Sequence, residues 1–306
     1  MRNFLNISDL SSDELRVILD EAKARKSNRQ NLNKSAPDHD KPFEGKSMVM
    51  IFEKPSTRTR ISFAIAVKQL GGSSIFLNPE GIHYGKGDET LKDTAKVLSE
   101  YADIIMLRTS SHKNLEEFGK YLNIPIINGL SDQSHPCQVL TDLFSFEEAK
   151  GSISGKSVAW LGDGNNNMSN SLIEAAGKFD FKLKIGCPNK YKPNKKIMTW
   201  AKKNKANVLV TNNPAEAVKD ADCVMTDKWV SMNDKVNKKA KEKSLKKYQV
   251  NKKLMNLAKS SALFMHCLPR GQEVTDEVMY GKQSIVWTQA LNRVHVQKSI
   301  INWCLS

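Results

Sequence analysis

The chain has 306 residues, enough for one large or two medium domains, and its 40% hydrophobic and 26% charged residues are ordinary for a folded protein, whereas its formal net charge of +14 needs an explanation. No apolar run could span a membrane, and residues 1–6 lack a signal-peptide core, so we expect a cytoplasmic protein. The odd number and wide spacing of the five cysteines argue against a zinc site and a disulfide framework, so we expect reduced thiols. The lysine-rich stretches 182–205 and 235–253 hold few aromatic residues and no nucleic-acid-binding motif, so solvated helix faces explain their charge better than a nucleic-acid partner.

The predicted elements of the first half alternate between helix and strand. A capping box formed by Ser11 and Glu14 opens a helix that we expect to end near Lys26. Short β-prone or apolar runs predict strands at 47–52, 73–77, 104–107 and 124–128. Helices are predicted at 61–70, 90–101 and 136–150.

The second half repeats this alternation. Strands are predicted at 157–161, 183–187, 207–211, 223–226 and 262–265, and helices at 169–179 and 289–305. Two such series indicate an α/β fold of two doubly wound parallel-sheet domains, with the active site in the cleft between them. We place the domains at 1–145 and 146–288, and we expect the last helix, 289–306, to pack back on the first domain.

An anion site is predicted at 56–60, between a strand and a helix. A helix start leaves backbone N–H groups unpaired at its positive end. The hydroxyl groups of Ser56, Thr57 and Thr59 and the guanidinium fork of Arg58 add donors there. A capped helix with a basic first turn is the alternative, but arginine opposes the helix dipole at that position and capping needs only one hydroxyl. The combination favours phosphate or a similar oxyanion.

Further polar segments follow other predicted strands, where ligands bind in such folds. They are Arg108, 162–166, Asp227 and 266–270. Their convergence favours one binding cleft, although Arg108 alone would more often be a surface residue.

Spacing alone does not decide whether His135 and Gln138 have a structural or a functional role, and it gives a weak indication for Cys267. His135 and Gln138 share a helix face and could either donate to a carbonyl oxygen or cap the helix. Cys267 is expected to be a polar contact, because His266 would point away from it if the strand continued and a nucleophile needs a nearby base. The Leu268–Pro269 bond is a candidate cis peptide.

Four segments resemble, in order and spacing, the signatures of the carbamoyltransferase family. They are Ser-Thr-Arg-Thr-Arg at 56–60, His-Pro-Cys-Gln at 135–138, Asp-Lys-Trp-Val-Ser-Met at 227–232 and His-Cys-Leu-Pro at 266–269. The last two are similar to those of ornithine carbamoyltransferases in particular. The resemblance implies transfer of the carbamoyl group of carbamoyl phosphate to the δ-amino group of L-ornithine, which gives L-citrulline and phosphate. Arginine biosynthesis is expected rather than citrulline degradation.

The resemblance also implies a role for each motif residue. The phosphate would be held by Ser56, Thr57, Arg58 and Thr59. The carbamoyl group would be bound and polarised by Arg108, His135 and Gln138, of which Arg108 and His135 are the expected catalytic residues, and Arg293 would be a further carbamoyl phosphate ligand. The α-amino and α-carboxylate groups of ornithine would be held by Asn166, Asp227, Ser231 and Met232. Cys267, a third catalytic residue near the δ-amino group, and Leu268 would line the reacting centre.

A neighbouring subunit completes the active site in this family, and His83 occupies the matching position. The resemblance therefore implies a homotrimer or an assembly of trimers. No metal or cofactor is implied, because carbamoyl phosphate is already activated.

Two positions depart from the family pattern: Asn233 stands where many relatives have glycine, and Lys228 where the residue is usually small and polar. The lysine-rich loop from 231 to about 248 bears on closing kinetics more than on substrate identity.

Two rival interpretations stay open. A sister enzyme would use putrescine, aspartate or an acylated ornithine; putrescine would leave Ser231 and Met232 without a carboxylate to bind. A non-catalytic, nucleic-acid-binding protein with the same fold would show salt-sensitive binding without turnover. The intact polar motif residues argue against this second rival.

Overall fold

The first helix, α1 (Ser12–Ser27), begins with the predicted capping box, in which Ser11 Oγ accepts from Glu14 N and the Glu14 carboxylate accepts from Ser11 N.

The computed structural model describes residues 2–78, 89–230 and 237–306. The chain divides into two compact units. Unit 1 comprises Met1–Leu140 and Leu291–Ser306, and unit 2 comprises Thr141–Ala290. The boundary predicted from the sequence lies slightly further along the chain, after residue 145.

Unit 1 is built on a parallel sheet in the strand order β2-β1-β3-β4. Its strands are β1 (Ser47–Phe52), β2 (Ser73–Leu77), β3 (Ile104–Arg108) and β4 (Ile126–Leu130). The helices that follow α1 are α2 (Thr57–Gln69), α3 (Leu91–Tyr101), α4 (His112–Tyr121) and α5 (Pro136–Lys150). The inner strands β1 and β3 are almost continuously buried apolar runs, as expected for parallel strands covered by helices.

Unit 2 is built on a second parallel sheet, in the order β7-β6-β5-β8-β9. Its strands are β5 (Ser157–Leu161), β6 (Lys182–Gly186), β7 (Val208–Thr211), β8 (Cys223–Thr226) and β9 (Leu263–His266). The remaining helices are α6 (Asn167–Phe179), α7 (Lys195–Lys203), α8 (Pro214–Val218), α9 (Lys238–Leu245), α10 (Lys252–Met255), α11 (Asp276–Met279) and α12 (Val286–Leu305). The predicted fold class, two parallel-sheet α/β domains, is confirmed. Within the described ranges no helix combines the length and the apolar character that a membrane crossing requires.

Most of α12 belongs to unit 1, where buried ion pairs hold it. Lys298 is fully buried, and its Nζ donates to both carboxylate oxygens of Asp38, at 2.9 and 3.1 Å. Arg29 and Arg25, both near the end of α1, also donate to Asp38. The end of the chain is therefore fixed to its first helix through one shared carboxylate.

The predictions that were wrong or incomplete include those for α4, β4 and α9. No helix was predicted at α4, although Ser111 caps it and Leu115 and Phe118 bury its apolar face. Strand β4 begins at Ile126, because the backbone pairs with β3 from that residue onward. The predicted loop from 231 to about 248 contains α9, which Asn237 caps and which lysine, alanine and leucine favour as a helix.

Candidate active site

The junction of β1 and α2 brings three hydroxyl groups and a guanidinium group together. Ser56 precedes the helix in an extended conformation, and its side chain makes no capping hydrogen bond. Thr57, Arg58 and Thr59 form the first turn, whereas the sequence predicted a helix start at Ile61. Because first-turn N–H groups lack intrahelical acceptors and lie at the positive end of the helix dipole, this turn suits an anion.

The buried hydroxyl of Thr59 is the meeting point of two arginines. Its Oγ1 accepts from Arg108 Nη1 at 3.0 Å and from Arg293 Nη2 at 3.1 Å. Arg108 ends β3 and Arg293 lies on α12, so three distant segments meet at one oxygen. Since two cationic donors occupy the lone pairs, the hydroxyl hydrogen is directed away from them and is a strengthened donor for a further acceptor.

The start of α5 adds an amide and an imidazole to this group. Arg293 Nη1 donates to Gln138 Oε1, so Gln138 contacts the arginine cluster. His135 is buried just before the helix. Burial and the charges of Arg293, Arg108 and Arg58 hold the pKa of His135 well below its ordinary value. The imidazole is therefore a neutral hydrogen-bonding group at neutral pH.

Unit 1 thus collects its predicted site residues in one cationic cluster. Hydrogen bonds and charge interactions join Arg58, Thr59, Arg108, His135, Gln138 and Arg293, and Ser56 and Thr57 adjoin them along the chain. Three guanidinium groups beside a helix start match the charge and the donor geometry of a phosphate dianion. The predicted residue His83 lies outside the described residues.

In unit 2, the turn after β5 places Asn166 at the start of α6. Asn166 Oδ1 accepts from Ser169 N at 2.8 Å, so this side chain caps the helix, which begins two residues earlier than predicted. Its side-chain oxygen is thereby occupied, and its amide hydrogens are the donors it can offer a ligand.

One lysine of the basic stretch 235–253 is part of this same turn rather than of a solvated surface. Lys241 is buried, and its Nζ forms an ion pair with Asp163 at 2.6 Å. Asp163 Oδ1 also accepts from Asn165 N at 2.8 Å. The prediction of solvated helix faces is therefore wrong for Lys241, because a buried carboxylate compensates its charge.

Asp227 and Cys267 face each other beyond the ends of β8 and β9. The Asp227 carboxylate accepts from Lys228 N at 2.6 Å and from the Cys267 thiol. Burial raises the pKa of Asp227, and these hydrogen bonds offset the rise only in part. A thiol that donates to a carboxylate keeps its proton. This arrangement favours Cys267 as a polar contact over Cys267 as a covalent nucleophile.

His266 lies in the same group, and the predicted orientation of its side chain was wrong. A ring nitrogen of His266, Cys267 Sγ and an Asp227 oxygen lie within 4.8 Å of one another. The prediction assumed that the strand continues, but β9 ends at His266 and the chain turns at Leu268, which has a φ of +59°. The Leu268–Pro269 bond is cis, as the sequence suggested.

Two contacts fix the tautomer of His266. Its Nδ1 accepts from Leu268 N at 2.8 Å, so this nitrogen carries no proton. Its Nε2 therefore carries the hydrogen and donates to Glu273 Oε1 at 3.0 Å. Burial alone would raise the pKa of Glu273, but the hydrogen bonds from His266 and Gly271 N lower it.

These contacts bear on metal binding, since Asp227, His266 and Cys267 are close enough to surround an ion. Both ring nitrogens of His266 are engaged, one as acceptor and one as donor. The set therefore offers a cation only the Asp227 carboxylate and the Cys267 sulfur, which is fewer ligands than a zinc site needs.

The other predicted ornithine ligands are placed less completely. Leu268 is half-buried at the turn after β9. Ser231 and Met232 lie outside the described residues.

The sequence analysis missed two residues at this site: Glu273, which accepts a hydrogen bond from His266 Nε2, and Gln289, whose Oε1 accepts from His266 N at 3.0 Å. No spacing rule links either residue to the strand end, so the sequence pattern gave no signal for them.

The two halves of the chain match two family models. Residues 2–148 match the carbamoyl-P binding domain of aspartate/ornithine carbamoyltransferase, and residues 154–304 match its Asp/Orn binding domain. Full-length similarity to curated proteins agrees. The chain is 49% identical to an ornithine carbamoyltransferase of Nitrobacter winogradskyi, with 99% of this chain and 97% of the relative covered. It is 46% identical to one of Brucella ovis, with 100% and 96% covered.

Solved structures give the same result. The ornithine carbamoyltransferase from Pyrococcus furiosus aligns with a TM-score of 0.91 and 42% identity, covering 98% of this chain and 96% of that one. The anabolic ornithine carbamoyltransferase from Campylobacter jejuni aligns with a TM-score of 0.90 and 35% identity, covering 99% of each chain.

Proposed function

Because this chain belongs to the aspartate/ornithine carbamoyltransferase family, we propose that it transfers the carbamoyl group of carbamoyl phosphate to the δ-amino group of L-ornithine. The products are L-citrulline and phosphate. The observation that supports this proposal most directly is the pair of arginines, Arg108 and Arg293, that converge on the Thr59 hydroxyl beside the start of α2.

The phosphate end of the substrate is bound by the first turn of α2. The hydroxyl groups of Ser56 and Thr57 and the backbone N–H groups, that of Thr59 among them, donate to phosphate oxygens, and Arg58 supplies charge. As the carbon–oxygen bond to the phosphate breaks, negative charge accumulates on the leaving group. Arg58 opposes that charge more strongly in the transition state than in the ground state, so it favours bond cleavage.

The carbonyl end is polarised by Arg108, His135 and Thr59. The δ-nitrogen of ornithine attacks the carbonyl carbon, which places negative charge on the carbonyl oxygen. Arg108 stabilises that charge as a cation. Neutral His135 and polarised Thr59 contribute hydrogen bonds without competing for the phosphate. Gln138 and Arg293 complete the carbamoyl contacts, and the departing phosphate takes the proton that the amine releases.

Ornithine is bound by the residues of unit 2. The amide hydrogens of Asn166 and the Asp227 carboxylate, with Ser231 and Met232, hold the α-amino and α-carboxylate groups. Cys267 and Leu268 face the δ-amino group, which must be neutral to attack. Burial raises the pKa of Asp227, which shows that these surroundings are weakly solvated, and weak solvation disfavours the charged form of the amine.

A homotrimer, or an assembly of trimers, is part of the proposal. Strand β2 lies at the edge of its sheet and exposes Ile75 (47%) and Phe76 (36%), and α3 exposes Val97 and Tyr101. Exposed apolar side chains on a sheet edge favour a protein interface. His83 follows β2 in sequence and, in the proposed assembly, completes the carbamoyl phosphate site of a neighbouring subunit.

The proposed setting is arginine biosynthesis in the cytoplasm. The similar Campylobacter enzyme is described as anabolic. All five cysteines are free thiols, which suits a reducing compartment. We propose no cofactor, metal, membrane or nucleic-acid partner.

The decisive experiment measures formation of the carbamoylated product from carbamoyl phosphate with L-ornithine, which gives citrulline, and in parallel with putrescine, N-acetylornithine and aspartate. We expect turnover with ornithine alone. Turnover with another amine would overturn the ornithine assignments in unit 2. No turnover with any amine, together with salt-sensitive nucleic-acid binding, would favour the non-catalytic interpretation.

Subunit mixing tests the shared site. Arg58→Gly inactivates the phosphate site of the subunit that carries it. His83→Ala leaves that subunit's own phosphate residues intact and removes only the side chain that it contributes to its neighbour's site. Each variant alone should be nearly inactive, but mixed trimers should regain activity at sites that combine an intact Arg58 with an intact His83. Absence of recovery in mixed trimers, verified by mass, would contradict the intersubunit role of His83.

A further inference from the structure

Two hydrogen bonds link α5 to α12 at matching positions. Gln138 and Asp142 lie one turn apart on α5, and Gln289 and Arg293 lie one turn apart on α12. Arg293 donates to Gln138, and Gln289 Nε2 donates to Asp142 Oδ1 at 2.6 Å. The first bond lies within unit 1 and the second within unit 2. Only the first involves the proposed carbamoyl phosphate ligands.

The bond between Gln289 and Asp142 is connected to the 266–269 motif through a second contact of Gln289. Asp142 is 0% and Gln289 1% exposed, so their polar atoms depend on protein partners. A carboxylate accepts hydrogen bonds, which requires Gln289 to present its Nε2 to Asp142 and its Oε1 to the opposite side. There, Oε1 accepts from His266 N at 3.0 Å. Asp142 thereby fixes which end of the amide faces the backbone of His266.

The backbone of His266 in turn sets the position of Cys267. His266 is the last residue of β9, and its Nδ1 accepts from Leu268 N. The chain between these two anchored N–H groups carries only Cys267. A displacement of His266 N therefore moves the thiol that contacts Asp227.

We infer that Asp142 and Gln289 are a positioning pair for the ornithine half of the site: Asp142 orients Gln289, and Gln289 holds the His266–Pro269 turn in the geometry that ornithine requires. This inference rests on the proposed function. Neither residue is expected to contact a substrate. Their loss should weaken ornithine binding and leave carbamoyl phosphate binding unchanged, because the contacts of Thr59 with Arg108 and Arg293 do not pass through them.

The test compares Gln289→Met with the matched variant Gln138→Met. For Gln289→Met we expect the KM for L-ornithine to rise by about tenfold, with the Kd of carbamoyl phosphate within about twofold of the wild-type value. For Gln138→Met we expect the Kd of carbamoyl phosphate to rise instead. The binding of L-norvaline, which lacks the reacting amine, should weaken in parallel with the KM for ornithine.

Substitutions of Asp142 test the orienting role. Asp142→Asn keeps a carbonyl acceptor for Gln289 and should stay within about threefold of the wild-type KM for ornithine, whereas Asp142→Leu should match Gln289→Met. The double variant Asp142→Leu/Gln289→Met should be no worse than either single variant, since both act through one contact. If Asp142→Leu fails to fold, the orienting role is tested by comparing the KM for ornithine of Asp142→Asn with that of Gln289→Met.

Two results would overturn the inference. One is an unchanged KM for ornithine in Gln289→Met. The other is an equal loss of affinity for both substrates, which would indicate general destabilisation. An inactive wild-type protein would instead overturn the proposed function, and this inference with it.

Discussion

The guanidinium of Arg293 donates a hydrogen bond to the hydroxyl of Thr59 at 3.1 Å, although 234 positions separate the two residues in the sequence. The last helix of the chain thus completes a site that begins at the first strand. Arg108 donates to the same oxygen. Because the lone pairs are occupied, the Thr59 hydroxyl can serve carbamoyl phosphate only as a donor.

Replacement of Thr59 by valine should therefore harm carbamoyl phosphate binding in two ways. It removes the donor, and it leaves two guanidinium N–H groups without their shared acceptor. We expect kcat/KM for carbamoyl phosphate to fall by about 10²-fold or more. Thr59→Ser keeps the hydroxyl and should lose less than about tenfold. Equal losses in the two variants, measured by steady-state kinetics, would show that the methyl group matters as much as the hydroxyl and would contradict the donor role of Thr59.

Replacement of Arg58 by glycine should abolish turnover, because the phosphate loses its charged anchor in the first turn of α2. We expect a loss of about 10³-fold or more in kcat/KM. Arg58→Lys keeps the charge without the fork and should be intermediate. Citrulline assays at saturating ornithine measure both variants. Turnover at the wild-type rate in Arg58→Gly would refute the anion-site assignment.

Much of the fold follows from sequence pattern. The predicted strands 47–52, 157–161 and 223–226 and the predicted helix 136–150 have the observed bounds. Buried parallel strands are continuous apolar runs bounded by polar residues, so their limits are visible in sequence. Helix starts were less accurate: α2 begins before its apolar residues, with a polar first turn at Thr57 that serves the site instead of the core.

The candidate site was predictable only in part. Arg108 at a strand end and the donors at 56–60 follow from local pattern. The meeting of Thr59 with Arg293 depends on how α12 packs, which no local pattern encodes. The side-chain direction of His266 depends on a strand that ends one residue earlier than alternation assumes, and on a distant partner, Glu273.

Replacement of Cys267 by alanine should weaken ornithine binding without removing a covalent step. The thiol donates to Asp227, so its loss leaves the carboxylate poorly solvated. We expect the KM for ornithine to rise by about tenfold, and Cys267→Ser, which keeps a donor, to lose less. Mass spectrometry of the wild-type enzyme quenched during turnover should find no carbamoyl adduct. An adduct on Cys267 would refute the polar-contact role.

Replacement of Asp38 by asparagine should loosen α12 from unit 1. Asp38 is the shared acceptor of Arg25, Arg29 and Lys298, so neutralising it leaves buried cations uncompensated. We expect a loss of about 3–5 kcal/mol in the free energy of unfolding. The control is Asp40→Asn, which removes an exposed pair with Arg25 and should cost under about 1 kcal/mol. Similar urea midpoints for the two variants would contradict this role.

The buried imidazole of His295 should make the protein less stable as pH falls. Burial and then the charges of Lys298, Lys26 and Arg29 lower the pKa of His295 to about 3, against an ordinary value of 6.5. Between these values the unfolded chain binds a proton at this residue and the folded chain does not. The free energy of unfolding therefore rises with pH in this window, by about 1.4 kcal/mol per pH unit for this group, and the contribution is constant above about pH 7.

The contribution of His295 can be measured separately through the number of protons that the protein takes up on unfolding. Unfolding the wild-type protein in urea at pH 5 should take up about one proton more than unfolding His295→Gln, because glutamine binds none in either state. His39→Gln, at an exposed position, controls for the loss of a histidine. His135 is present in all three proteins, so its own uptake cancels in the comparison. Equal uptake in the wild-type protein and His295→Gln would mean that His295 is protonated in the folded state, with its charge accepted by Asp38.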